Sequence, residues 1–76
     1  MTHECIELGN IHHLPEEQQS VLAERAQLAV RITEMTGFAQ SEAFQGLEGG
    51  EQQRRTLQLD TMRIYHDVLL DRIAAF

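Results

Sequence analysis

Hydrophobic and polar positions recur with a helical period in two stretches of this chain, Pro15 to Thr36 and Glu51 to Ala75. On a helix turning about 100° per residue, the second stretch gathers Asp60, Arg63, Asp67 and Asp71 into one narrow polar stripe. Leu57, Leu59, Met62, Ile64, Tyr65, Val68, Leu69, Leu70, Ile73 and Phe76 spread over an arc of roughly 240°. A helix that packs on one neighbour needs an apolar stripe of only about 100°. The first stretch repeats the theme. Its polar stripe is Ser20, Glu24, Gln27, Arg31 and Glu34, and Val21, Leu22, Ala26, Leu28, Ala29, Val30, Ile32 and Met35 fill most of the rest.

Punctuation sets the expected boundaries at helix 15–36, connection 37–50 and helix 51–75, preceded by an arm over 1–14. Pro15 is pre-set for a first helical position, and Glu16 and Glu17 suit the positive end of the helix dipole. Gly37 reads as a left-handed terminator, with Phe38 folding back near Ile32. Within the connection Ser41 can cap a short helix through about Gln45. Gly46, Gly49 and Gly50 then release the chain into the second long helix. Residues 1–14 read as an irregular or briefly helical arm, held down by Ile6, Leu8, Ile11 and Leu14.

Two long helices joined by a modest connection pack antiparallel, with facing residue numbers summing to roughly 87. That register places Arg72 near Glu16 and Glu17, and Arg25 near Asp60 or Met62. The predicted fold class is all-α: an antiparallel two-helix hairpin, with room for a short extra helix in the connection, dimerising into a four-helix bundle. The dimer follows from burial. Each aliphatic side chain left in water forfeits about 1.5–3 kcal/mol. Half a dozen stranded ones rival the whole stability of a small domain, about 5–15 kcal/mol. The residues expected to pack within the hairpin and across the interface are Val21, Leu22, Leu28, Ala29, Ile32 and Met35, with Leu57, Ile64, Tyr65, Val68, Leu69, Ile73 and Phe76.

Composition narrows the function classes. Seventy-six residues make one domain. The net charge of −6 repels phosphate backbones, so nucleic acid is not an expected partner. The longest aliphatic run, Val68 to Leu70, is far short of the ~20 residues of a membrane span. No signal peptide is read at the start, and a lone Cys5 rules out an internal disulfide framework, so the expected compartment is the cytoplasm. All six basic residues are arginine, which suits bidentate pairing at interfaces.

Candidate chemistry is sparse. His3, Glu4, Cys5, Glu7, His12 and His13 supply metal-ligating types without a recognised ligand spacing. They leave a metal-responsive regulator as the alternative reading, and the main expectation includes neither metal nor cofactor. His66 has no nucleophile converging on it, and an interface histidine bonded to a neighbour is expected. Gly46 to Gly50 follows no strand and carries Glu48 where phosphate would sit. Ser41 lies between Gln40 and Glu42, so the Asp-Ser-Leu of acyl carrier proteins is missing. The expectation is a non-enzymatic adaptor, chaperone or regulator: a homodimer, or one half of a complex with a different protein.

Overall fold

The computed structural model describes residues 13–76, so most of the expected arm, with Ile6, Leu8 and Ile11, lies outside the described residues. All regular structure among those residues is helical: α1 (Glu16–Ala39), α2 (Glu42–Gln45) and α3 (Gly49–Ala74). α1 and α3, about 36 and 39 Å long at 1.5 Å per residue, lie antiparallel.

All four ends of the long helices differ from the expectation; α3 closes at Ala74 with Ala75 as its cap, and the other three differ for local reasons. Pro15 stands one residue before the helix, with φ −54° and ψ 147°, and its carbonyl accepts from Gln18 and Gln19. Its ring cannot cap, and Gln19 instead donates from its side-chain amide to the Leu14 carbonyl at 2.8 Å. At the other end Gly37 is not a terminator. α1 continues through it to Ala39 and ends at Gln40, whose φ is −99°. The effective stop lies downstream at Ser41, whose hydroxyl donates to the Phe38 carbonyl (2.6 Å) and accepts from the Phe44 N–H (3.2 Å). One side chain thus closes α1 and caps α2, as the sequence had suggested for α2. α3 starts at Gly49, not Glu51, because the Glu48 carboxylate accepts from the N–H groups of Gly50 and Glu51, both at 3.1 Å. The two glycines form its first turn instead of releasing the chain. Gln52 ties the connection down by donating to the Gln45 and Leu47 carbonyls.

The longer α1 also shifts the register. Tyr65 bonds Glu24 and Arg63 bonds Thr36, while Leu59 and Arg55 line a hollow with Met35 and Ala39. Facing pairs therefore run several residues further along than the value of 87 places them. Arg72 is exposed and Arg25 half-buried, and among the described residues no ion pair joins them to Glu16, Glu17 or Asp60.

The result is a rod, 48 × 26 × 15 Å, with a radius of gyration of 16.0 Å. A compact domain of this size would have about 11 Å. So thin a body encloses little: among the described residues only Val21, Leu59 and Leu69 are buried apolar side chains, and Leu69 alone is fully covered. No described helix is long and apolar enough to cross a membrane.

Candidate interaction surface

From Gln52 onward the positions of α3 that are not exposed are Gln52, Arg55, Leu59, Met62, His66, Leu69 and Ile73. Their alternating spacing of three and four is the spacing of a helix seam that packs on one partner helix. This stripe faces α1, where Val21, Leu22, Leu28, Ala29, Ile32 and Met35 are buried or half-buried. The thirteen residues expected to pack thus divide. Leu69 and Ile73 join the six from α1 on the inner side of the hairpin, whereas Leu57, Ile64, Tyr65, Val68 and Phe76 are exposed.

The exposed set has its own order. Leu57, Thr61, Ile64 and Val68 are spaced four, three and four apart, so they form a second seam about 150° around α3 from the first. Leu57 and Ile64 keep 67% and 66% of their surface in water. Thr61, absent from the sequence-based set, belongs here by chemistry as well as position. Its hydroxyl donates to the Leu57 carbonyl at 2.8 Å, so the polar group is satisfied within the helix. The two seams share the same spacing, which is why the sequence showed them fused into a single wide arc.

Tyr65 borders this seam and is fixed across the hairpin. Its hydroxyl donates to the Glu24 carboxylate at 2.6 Å, and that bond raises the phenol's pKa above the usual 10.0, with burial and the Glu24 charge adding to it. Leu28, Gln27 and Arg31 complete a shallow open groove beside this pair.

At the connection end, Phe38 and Phe44 meet edge to face with centroids 6.1 Å apart, and the Arg55 guanidinium lies 5.1 Å from the Phe38 ring centre. The hollow beneath them is about 40 Å³, room for water and not for a substrate. Glu51 receives both Arg54 and Arg55, and the Arg54 bond, then the Arg55 bond, holds its carboxyl below the usual 4.5. His66 occupies the inner seam with its Nε2 buried and without a hydrogen-bond partner among the described residues. The expected bond to a neighbour is not made there.

A family model described as Sequestin matches residues 15–75. The chain belongs to the Sequestin family. The matched span opens at the residue that precedes α1 and closes at the one that follows α3, so the hairpin is the unit the family shares. No curated protein and no solved structure matches the chain. His3, Cys5, His12 and His13 lie outside the matched span, and the first three also lie outside the described residues. His13 is exposed, and no group of three or more metal-ligating side chains occurs among the described residues.

Proposed function

We propose that this member of the Sequestin family is a non-enzymatic protein-binding module of the cytoplasm, which acts by assembling its hairpin with other chains. The primary assembly in this reading is a homodimer, a bundle of four long helices, and it serves as an adaptor, chaperone or regulator. The observation that carries the reading is the outer seam of α3, with Leu57, Ile64 and Val68 about half or more exposed on a rod that buries only three apolar side chains among the described residues. Contiguous exposed apolar surface on a small protein marks a place where another molecule sits. The family name, which speaks of sequestering, is in keeping with binding. The shallow hollows favour a surface that docks a protein over a pocket that turns over a substrate.

Native mass spectrometry of the chain isolated from its host tests this reading. The expected result is a mass of two copies, or of one copy with a bound protein. A folded single chain with nothing attached contradicts it.

A further inference from the structure

Among the described residues, six of the seven large apolar side chains that stay exposed lie on α3 or just beyond its end, and Val30 is the exception on α1. An assembly that buries them places α3 at its centre and α1 outside. The outer seam of α3 extends past its apolar middle to a charge at each end: Arg54 lies three residues before Leu57, and Asp71 three after Val68. Both are exposed on the helix.

These two opposite charges decide how a second copy can lie on the seam. In a parallel pair each layer meets itself, so Arg54 stacks on Arg54 and Asp71 on Asp71, and like charges close both ends. In an antiparallel pair the layers cross over. Leu57 then faces the second copy's Val68, Thr61 faces its Ile64, and Arg54 faces its Asp71, each contact made twice by the two-fold axis. The one adverse approach, Asp60 to the second copy's Asp67, is between exposed side chains where salt and water screen it.

We infer that α3 docks antiparallel on α3 of a second copy, along Leu57, Thr61, Ile64 and Val68, with Arg54 and Asp71 setting direction and register. This rests on the homodimer reading above and gives it a geometry. Because the outer seam lies nearly opposite the inner one, the four long helices form a row with the two α3 helices in the middle.

Sedimentation equilibrium on the full chain tests it, with circular dichroism on every sample. The variants are Ile64→Glu, Arg54→Asp, Asp71→Arg and the double reversal. Asp at the start of α3 and Arg at its end both suit the helix dipole, and although Arg54→Asp also gives up the exposed pairs with Glu48 and Glu51, the helicity of each sample separates that loss from an effect on association. The wild type is expected to be a dimer. Ile64→Glu, which buries two carboxylates at the seam, weakens it at least about a hundredfold with helicity retained. Each single reversal weakens it about tenfold, and the double reversal recovers the wild-type affinity. A double reversal no tighter than the singles overturns the antiparallel register. A dimer indifferent to Ile64→Glu overturns the seam but leaves the homodimer standing on another face. A wild type that stays monomeric overturns both.

Discussion

The inner and outer faces of α3 are built on the same spacing from similar side chains, yet one is covered and the other is not. Leu59 keeps 6% of its surface exposed and Leu69 none, whereas Leu57 and Ile64 keep 67% and 66%. The difference lies in α1, which is one helix wide and covers one seam. A rod 15 Å thick has no second layer to offer. The two faces therefore make opposite demands on substitution: the inner one answers to the stability of the hairpin, and the outer one to what the hairpin meets.

The largest expected effect compares Leu69 with Leu57. Leu69→Ala leaves a cavity at the one fully covered side chain among the described residues and costs about 2–5 kcal/mol, while Leu57→Ala changes the isolated hairpin by within about 0.5 kcal/mol. Urea unfolding of both variants under conditions that hold the chain monomeric measures this. Equal losses would erase the distinction between the faces.

Two changes of about 1 kcal/mol sharpen the picture of the inner seam and its end. His66→Leu replaces a side chain whose buried Nε2 finds no partner among the described residues, and is expected to stabilise the hairpin by about 1 kcal/mol. Ser41→Ala removes the hydroxyl that closes α1 and caps α2, and is expected to lower stability by about 1 kcal/mol. Thermal melting read by circular dichroism follows both.

Gly37→Ala is a smaller effect with a decisive sign. The glycine is helical, and a methyl group there meets nothing within 4 Å, so alanine should stabilise by about 0.5–1 kcal/mol. A left-handed Gly37, as the sequence suggested, would make the same change destabilising.

The smallest effect concerns acid. Glu51 titrates below its usual 4.5 because it holds Arg54 and Arg55, so its contribution is present above that value and fades as pH falls through the lowered one. Glu51→Gln should lower stability slightly in the neutral range, where the carboxylate is charged, and converge with the wild type in acid, so that the loss below about pH 4.5 is flatter in melts across an acid series.

Much of this was legible beforehand. The polar stripes Ser20–Glu24–Gln27–Arg31–Glu34 and Asp60–Arg63–Asp67–Asp71 are exposed throughout, and Ser41 caps where expected. Polarity at helical spacing needs no tertiary knowledge. What resisted was set by contacts between distant residues or by competing signals. Gly37 carries a stop signal that Ser41 outcompetes through Phe38. Gly49 and Gly50 look like a break until the Glu48 carboxylate is seen capping them into a helix. The register depended on the width of the connection. The division of the α3 arc into two seams was present in the spacing of Leu59, Met62, Leu69 and Ile73 against that of Leu57, Ile64 and Val68. The identical period concealed which seam α1 would take.

The most direct measurement of the central claim, that the outer face of α3 is covered in an assembly, is the thermal midpoint of the wild-type chain followed over about a hundredfold range of concentration. The account predicts a midpoint that rises steadily with concentration, because folding and association are linked. A sharp, cooperative melt at the same temperature throughout, from a chain that sediments as a monomer, would contradict it.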